Sequence, residues 1–339
     1  MRVLNTLYIT GHRMRVSTTK GALTVRSKDN TTKIPLEQLE AVVLLANAEI
    51  TTPAMDACAK RAMPVTALAR NGRVRFRVTG ASSGNVHLRV RQLDAHRGDE
   101  HSARIARSIV AGKLQNCRQL ASRWSWDAAD QTRGALDRQR VAIGEAIDAL
   151  TAATTGDQIR GIEGHGTYLY FRALRLALAG TPFPFSGRNR RPPRDAANAL
   201  MGFVYALTLG EIVGALEAIG LDPQIGFLHR LRAGRPALAL DVIEELRPAH
   251  ADRLTTRMLR RRQLSMDDFV ETPGGAWHLT DGGRRLVLEE YTRSRDETIY
   301  HALLDRTIPR WSLPHVQATL MARHLRGDLD EYAPYLAGR

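Results

Sequence analysis

Short apolar runs separated by turn-forming residues characterise the first quarter of the chain. Runs of this length are typical of β-strands, and they fall at residues 7–9, 14–16, 23–25, 41–45, 65–68 and 74–78. Turn chemistry lies at residues 28–30 and 71–72. One helix interrupts the strands; it begins at Thr52, where the following proline suits the first helical turn, and is predicted to end near Arg61. The pattern predicts a small β-rich domain.

Strict alternation marks the last of these strands. Arginines at positions 73, 75 and 77 alternate with Val74, Phe76 and Val78. Because successive side chains of a strand point to opposite faces, we expect one basic face and one buried face.

Apolar residues follow helical spacing from about residue 93 onward, as at Ile105, Ile109 and Leu114. We therefore predict an α+β fold with two domains: a β-rich domain at residues 1–85, expected to mediate dimerisation, a linker at 86–95 and a helical catalytic domain at 96–339. The most apolar stretch, residues 196–209, is shorter than the ~20 residues of a membrane span and contains Asn198. A buried core helix is the better interpretation.

Charge and cysteine content indicate the setting and the kind of partner. The 339 residues include 49 Lys plus Arg against 35 Asp plus Glu, a net charge of +14. Residues 1–92 hold 15 basic and 5 acidic residues, so most of the excess lies there. A polyanion is therefore the first partner to consider. Two cysteines and no signal-peptide pattern favour a reducing cytoplasm.

Glu163 is the first of several acids in unusual surroundings. It is flanked by glycines ahead of an apolar, aromatic stretch at residues 168–178. Small neighbours would let a ligand approach the carboxylate closely. The alternative is an acid near a helix N-terminus, favoured there by the helix dipole.

Three further acids share a predicted helix. Asp241, Glu244 and Glu245 stand at i, i+3 and i+4, so they are expected on one face. Like charges among apolar residues need a positive partner. Arg235 or Arg247 could supply it, or a divalent cation could.

His229 follows Phe227 and Leu228, a setting in which a histidine is often structural. Combined with the carboxylates, however, its imidazole makes a mixed oxygen and nitrogen donor set that suits Mn²⁺ or Mg²⁺. Such a cation polarises a phosphodiester and lowers the pKa of an attacking hydroxyl. Zinc-protease, Walker and serine-hydrolase motifs are absent from the sequence. Metal-assisted phosphodiester chemistry is the reaction class that fits a basic protein.

Arginines surround these acids in the sequence. Guanidinium groups bind phosphate in a bidentate manner, and the candidates for DNA contact are Arg188, Arg190, Arg191 and Arg194 in one loop, with Arg257, Arg260 and Arg261 in a second cluster. The alternative is a solvated surface in a protein whose composition favours arginine.

Four segments of the chain carry a family resemblance. Residues 186–248, from SGRNRRPPRDAANALMGFVYALTLGEIVGALEAIG to ALALDVIEELRP, resemble the signature block of the CRISPR-associated adaptation integrases, the universal "Cas-one" endonucleases. The segments IRGIEGHGTYLYF, SGNVHLR and VQATLMARHLRGDLDEYAPY are similar to other parts of that family. The resemblance covers essentially the whole chain and implies the same two-domain fold.

The resemblance also implies a site and a reaction. By motif position, Glu163, His229 and Glu244 correspond to the ligands of a Mg²⁺ or Mn²⁺ ion, Asp241 to a supporting or alternate ligand, and Tyr205 to an active-site tyrosine. His165 departs from the small residue that relatives carry nearby. In the implied reaction, a 3′-hydroxyl of a short foreign DNA fragment attacks a phosphodiester of the CRISPR repeat.

Partners follow from the same resemblance. The β-rich domain is expected to form a homodimer, and two such dimers to flank a dimer of the small "Cas-two" protein in a heterohexamer. Two other functions stay open: a non-catalytic nucleic-acid-binding scaffold whose acids pair with arginines, and a metal-dependent nuclease acting on RNA.

Overall fold

Two compact units make up the chain, residues 1–83 and residues 84–339. A computed structural model describes residues 5–10, 13–28, 30–45, 48–69, 74–80 and 86–338. The predicted turn at 71–72, Arg73 and Asp29 lie outside the described residues. A strand-rich first unit and a larger helical second unit confirm the predicted α+β fold class.

Two four-stranded sheets, one α-helix and a short 3₁₀ turn (Leu36–Gln38) form the described part of the first unit. The sheet orders are β1-β5-β7-β8 and β4-β3-β2-β6. The elements are β1 (Asn5–Ile9), β2 (Arg15–Thr19), β3 (Ala22–Arg26), β4 (Thr31–Pro35), β5 (Leu39–Leu44), β6 (Glu49–Ile50), α1 (Thr52–Ala59), β7 (Val65–Leu68) and β8 (Val74–Val78). Strands β1, β5 and β7 are parallel, whereas β8 runs antiparallel to β7. Val16, Leu23, Val42 and Val65 are fully buried in the core of this unit, as expected for the inward positions of strands.

Strand β8 corrects one prediction. Val74 and Phe76 are 41% and 49% exposed, so the expected buried face is wrong for these two residues. The reason is topological: β8 is the last strand of its sheet, with β7 as its hydrogen-bonded neighbour. Alternation of polar and apolar residues along a strand indicates which side chains share a face of the sheet. It does not indicate whether another element packs on that face.

Ten helices and helical segments dominate the described part of the second unit. They are α2 (Val86–Arg97), α3 (Asp99–Trp126), α4 (Asp130–Ala149), α5 (Gly156–Leu178), α6 (Ala196–Ile219), α7 (Ala237–Leu246), a π-helical segment (Arg247–Asp252), α8 (Arg253–Arg260), α9 (Asp281–Asp296) and α10 (Leu313–Arg326). Two small antiparallel hairpins complete it, with strands β9 (Phe269–Glu271), β10 (Trp277–Leu279), β11 (Thr298–His301) and β12 (Arg306–Pro309).

The predicted linker at 86–95 is instead part of α2. This helix belongs to the second unit, where the buried Gln92 side chain donates to the carbonyls of Asp222 and Ile225 at 2.8 and 2.7 Å. The linker prediction failed because α2 carries many charged residues, and the contacts that fix it come from residues about 130 positions away. Residues 81–85, also expected at the junction, lie outside the described part.

Helix α6 is the core helix that the apolar stretch predicts. Asp195 caps its start by accepting a hydrogen bond from the Asn198 backbone at 2.7 Å, and Gly220 ends it in the left-handed conformation. By length and composition it is the one helix of the described residues that could cross a membrane, but 61% of its apolar window is buried inside the protein. A packed core helix accounts for that burial.

Both cysteines are buried and unpaired. Burial raises the pKa of Cys58 to about 11 and that of Cys117 well above its usual range. Because the thiolate is the reactive form, we expect both thiols to resist a thiol-specific chromogenic reagent at pH 8 and to react fully in guanidinium chloride. Rapid labelling of either cysteine in the native protein would contradict this prediction.

Candidate metal and nucleic-acid site

Helix α7 places its three acids in three different environments. Asp241, Glu244 and Glu245 are all essentially buried. Asp241 faces the loop before the helix, Glu244 faces Lys113 of α3, and Glu245 faces the segment after α10. The three acids therefore do not share one positive partner, and of the two arginines considered in the sequence, Arg247 pairs with Glu244.

Asp241 anchors the loop that carries His229. Its Oδ2 accepts the backbone N–H groups of Phe227 and Leu228 at 2.5 and 3.0 Å, and its Oδ1 accepts that of His229 at 3.0 Å. The loop can approach this closely because residue 226 is glycine; a Cβ there would lie 2.6 Å from Asp241 Oδ2. With both oxygens engaged in this way, Asp241 fixes the backbone of the loop at residues 227–229.

His229 is held by the same carboxylate. Its Nδ1 lies 2.7 Å from Asp241 Oδ1, and its Nε2 lies 3.9 Å from Glu244 Oε1. A carboxylate at Nδ1 favours the tautomer with the proton on that nitrogen, which leaves the Nε2 lone pair directed toward Glu244. The histidine is thus structurally anchored through one nitrogen and available through the other.

Glu163 lies well inside α5 and not at a helix start. The helix begins at Gly156 with a capping box formed by Thr155 and Gln158. Glu163 therefore lies beyond the first turn, where the dipole acts, and the N-terminal alternative is wrong. Its Oε1 accepts a hydrogen bond from Thr167 at 3.0 Å and also meets the Lys113 ammonium.

Lys113 on α3 is the residue that sequence reasoning missed. It is 4% exposed, and its Nζ contacts Glu163 Oε1 and lies 2.7 Å from Glu244 Oε2. Burial lowers the pKa of Lys113, but Glu244 and Glu163 outweigh burial and raise it overall. Its sequence signal is its position between Val110 and Cys117 on the apolar face of α3, where a lone lysine needs a partner.

A close approach of α3 to α5 makes this contact possible. Gly166, one turn after Glu163, packs against Leu114 so tightly that a Cβ would lie 2.5 Å from Leu114 Cδ2. The glycine lets the two helices approach at the level of Lys113 and Glu163. Gly166 therefore serves helix packing, whereas a Cβ at Gly161 or Gly164 would meet no atom within 4 Å.

Glu244 stays ionised in spite of its burial. Burial raises its pKa, but Arg247, Lys113 and His229 outweigh burial and lower the pKa to about 2. Arg247 donates to Glu244 Oε1, while Oε2 meets the Lys113 ammonium and has no well-directed hydrogen bond from the described residues. The Oε2 oxygen of Glu244 is thus paired with one cation, the Lys113 ammonium.

Glu245 has a structural role. Its carboxylate accepts hydrogen bonds from the Tyr332 hydroxyl at 2.6 Å, the Gln317 amide at 3.1 Å and the Tyr335 backbone at 2.5 Å. Burial raises its pKa to about 7 even though these donors lower it. Asn116 adds to the same attachment by donating to the Tyr335 carbonyl at 2.8 Å. The segment after α10 is therefore held against α7 by hydrogen bonds to Glu245.

Tyr205 hydrogen-bonds to a carboxylate other than those of Glu163, Asp241 and Glu244. Its hydroxyl donates to the buried Asp252, which also accepts from Tyr170 at 2.8 Å. The ring lies beneath two guanidinium groups, with Arg247 at 4.8 Å and Arg188 at 5.3 Å from its centroid. Burial raises the pKa of Tyr205 well above its ordinary value. The tyrosine is thus a platform for two arginines.

The arginine loop lies beside this platform. Arg188 donates to Asn198 Oδ1 at 2.6 Å, and Arg194 donates to the Gly274 carbonyl at 3.1 Å; Arg190 and Arg191 are exposed. A groove of about 630 Å³ runs alongside, lined by residues of α5 and the loop that include Gly164, Thr167, Tyr168, Arg172, Arg175, Arg188 and Arg190. Tyr168, Arg172 and Arg175 were not among the predicted contacts, although they stand at i, i+4 and i+7 to one another and so share a face of α5.

The second arginine cluster is partly engaged within the protein. Arg257 pairs with Glu290 at 2.6 Å and Glu297 at 3.2 Å, and Arg260 pairs with Asp127 at 3.3 Å. Arg261 is exposed. Among the seven arginines predicted to contact DNA, Arg257 and Arg260 therefore have their charge paired with carboxylates of the protein. The charges of the loop arginines at 188–194 are more available to phosphate.

The protein has a β-rich unit followed by a helical unit, and the helical unit holds carboxylates, an oriented imidazole and an arginine-lined groove. These features define a class of protein suited to act on nucleic-acid phosphodiesters. The family model "CRISPR associated protein Cas1" matches residues 7–293. The CRISPR-associated endonuclease Cas1 1 of Moorella thermoacetica is 40% identical over 98% of both chains, and Cas1 2 of Rhodospirillum rubrum is 37% identical over 98% of both chains. The chain belongs to the Cas1 family, as the sequence resemblance predicts, and is a CRISPR-adaptation integrase or endonuclease.

Solved structures agree on the fold. A Cas1 protein from Thermotoga maritima superposes with a TM-score of 0.82 at 21% identity, over 99% of both chains. A casposase bound to an integration product gives a TM-score of 0.84 at 18% identity, over 97% of this chain and 93% of the other. A chain of a Cas6-RT-Cas1–Cas2 complex gives 0.82 at 25% identity, over all of this chain and 37% of that one.

Proposed function

We propose that this protein inserts short foreign DNA fragments into a CRISPR repeat by divalent-metal-dependent strand transfer. The observation that carries the proposal is the convergence of Glu163 from α5 and Glu244 from α7 on one buried cation, with the Nε2 face of His229 beside them. Two ionised carboxylates and an imidazole are donors that suit Mg²⁺ or Mn²⁺.

The site fits the cation by its donors and by its attraction for positive charge. Among the described residues no three His, Cys, Asp or Glu side chains stand together as a preformed metal cluster, because Lys113 lies between Glu163 and Glu244. An ammonium held by two carboxylates marks a place where a cation is stabilised. Glu163, Glu244 and His229 would hold Mg²⁺ or Mn²⁺, which would supply Lewis-acid activation of a hydroxyl and a phosphodiester.

The protein's own groups prepare the reactants. In the proposed reaction the 3′-oxygen of the fragment forms a bond to a repeat phosphorus, the bond from that phosphorus to its own 3′-oxygen breaks, and the released strand keeps the 3′-hydroxyl. Asp241 fixes the orientation of His229. Arg188 and Arg190, at the edge of the 630 Å³ groove, bind phosphates and hold the strand near the acids.

Partners and setting follow from the relatives. One structural neighbour is part of a Cas6-RT-Cas1–Cas2 complex and another is a casposase bound to an integration product. We extend this to DNA and a Cas2 partner, with the first unit forming a homodimer and two dimers flanking a Cas2 dimer. The cytoplasm is the proposed location, consistent with two reduced, buried cysteines.

Strand transfer of a labelled short duplex into a supercoiled repeat plasmid tests the function, with and without the Cas2 partner. Joined product is expected with Mn²⁺ or Mg²⁺ and none with excess EDTA, because the carboxylates alone cannot activate the hydroxyl. Restoration after Mn²⁺ add-back is the control for irreversible damage. Equal joining in EDTA would contradict metal dependence.

One observation favours a scaffold as the second candidate: Lys113 and Arg247 already neutralise Glu163 and Glu244. A scaffold would bind DNA in a salt-dependent manner and join no strands under any metal condition. A nuclease acting on RNA would instead cleave a branched RNA faster than the matched branched DNA in the same assay.

A further inference from the structure

Lys113 provides the positive charge that two helices share. Its ammonium contacts Glu163 on α5 and lies 2.7 Å from Glu244 on α7, and the side chain is almost completely buried. Arg247 pairs with the other oxygen of Glu244, whereas Glu163 is contacted by Lys113 and the neutral Thr167. The ammonium is therefore the cation that joins the two acids.

Two carboxylates this close together need such a charge. Buried anions lose their hydration and repel each other unless a counter-ion lies between them. A divalent ion would satisfy the same requirement with twice the charge. Both cations cannot occupy the same point, because each would repel the other over a few ångströms in a poorly hydrated interior.

We infer that Lys113 is a built-in cation that keeps the empty site assembled and competes with the divalent ion for Glu163 and Glu244. The inference rests on the proposed metal site. A lysine suits this role because its compact ammonium ends a flexible four-carbon stem and can withdraw from a carboxylate. Arginine, with a broad planar group, would withdraw less readily.

Three consequences distinguish this role from simple packing. Without Lys113 the metal-free protein should lose stability, since the buried Glu244 and the partly buried Glu163 lose their shared partner. The same change should strengthen metal binding, because the competitor is gone. An arginine at this position should weaken metal binding, since its charge remains but is harder to displace.

Calorimetric titration of the full-length protein with Mn²⁺ alone, together with thermal unfolding with and without Mn²⁺, tests the inference. Lys113→Met is expected to bind Mn²⁺ at least about tenfold more tightly than the wild type and to unfold at a lower temperature without metal. Its unfolding temperature should rise more on Mn²⁺ addition than that of the wild type. Lys60→Met, which removes an exposed lysine paired with Asp56, is the matched control and should change neither quantity.

Further variants keep the test decisive if Lys113→Met folds poorly. Lys113→Arg should bind Mn²⁺ more weakly than the wild type. The double variant Lys113→Met with Glu163→Gln should regain metal-free stability relative to Lys113→Met, because one uncompensated charge has been removed. The inference is overturned if Lys113→Met binds Mn²⁺ no more tightly than the wild type. It is also overturned if Lys113→Arg binds Mn²⁺ as tightly as the wild type or more tightly.

Glu163→Gln separates this inference from the function on which it rests. If Glu163→Gln lowers Mn²⁺ affinity but Lys113→Met does not raise it, the metal site stands and the competing role of Lys113 is rejected. If Glu163→Gln binds Mn²⁺ as the wild type does, the metal site itself is misplaced, and the inference is rejected with it.

Discussion

Replacing Glu244 with glutamine should reduce strand transfer by at least about 100- to 1000-fold, the loss typical when a preorganised electrostatic group is removed from a reaction centre. The amide keeps the size of the side chain but removes its negative charge. Burial disfavours that charge in Glu244, and Arg247, Lys113 and His229 together stabilise it. Arg247 and Lys113 would then face a dipole, and the divalent ion would lose an anionic ligand. The groove that we propose to bind DNA is formed by other residues.

Single-turnover strand transfer and DNA affinity, measured side by side, check this prediction. DNA affinity should change by less than about threefold, since phosphate contacts from arginine dominate binding. Glu145→Gln, which removes an exposed carboxylate from α4, is the matched control and should retain full activity. Retained strand transfer in Glu244→Gln with Mn²⁺ present would show that this residue is not a ligand.

Asp241→Ala is the second change with a large expected effect, and it should act on both stability and activity. The substitution removes an acceptor of three backbone N–H groups and of His229 Nδ1, all at a fully buried position. Hydrogen bonds to a charged group contribute about 1.5–3 kcal/mol each, and the orphaned donors cannot all reach water. We expect a loss of about 4–5 kcal/mol in the free energy of unfolding, at the upper end for single substitutions.

The activity of Asp241→Ala should fall in addition, by roughly 10- to 100-fold, as when the partner of a metal-binding histidine is removed. Denaturant unfolding measures the first effect, and strand transfer at a temperature where the variant is folded measures the second. Asp195→Ala, which removes the cap of α6, is a control that should lose stability without altering His229. Wild-type activity in folded Asp241→Ala would contradict the positioning role.

Local pattern was a good guide wherever the structure depends on neighbours in sequence. Six strands of the first unit, the helix that begins at Thr52 and the core helix α6 could be predicted from periodicity and end signals, whereas the largely polar β4 and the two-residue β6 were missed. The same holds for the burial of α7, whose apolar residues surround its acids. These features are decided within about one turn or one strand of the chain.

Features that depend on distant residues escaped prediction. Lys113 meets Glu163 and Glu244, which are 50 and 131 positions away, and nothing near residue 113 specifies those partners. Asp241 and Glu244 look alike in sequence, yet one binds a loop and the other faces two cations. Their roles are distinguished by what packs against each side of α7. The exposure of Val74 and Phe76 likewise depends on their strand being outermost.

The attachment of the C-terminal segment to α7 has a consequence for the order in which the protein becomes competent. Glu245 depends on donors from Tyr332 and Tyr335, and Asn116 accepts a hydrogen bond from the Ala337 backbone at 2.9 Å. Glu245 adjoins Glu244, so the helix that bears the proposed site is braced by residues that follow Glu245 by 87 and 90 positions in the chain. Most of the second unit can be synthesised and begin to collapse while this brace is still missing. The proposed reaction centre is therefore completed only after residues 332–337 have been made, and we expect a chain that lacks them to have a less ordered α7.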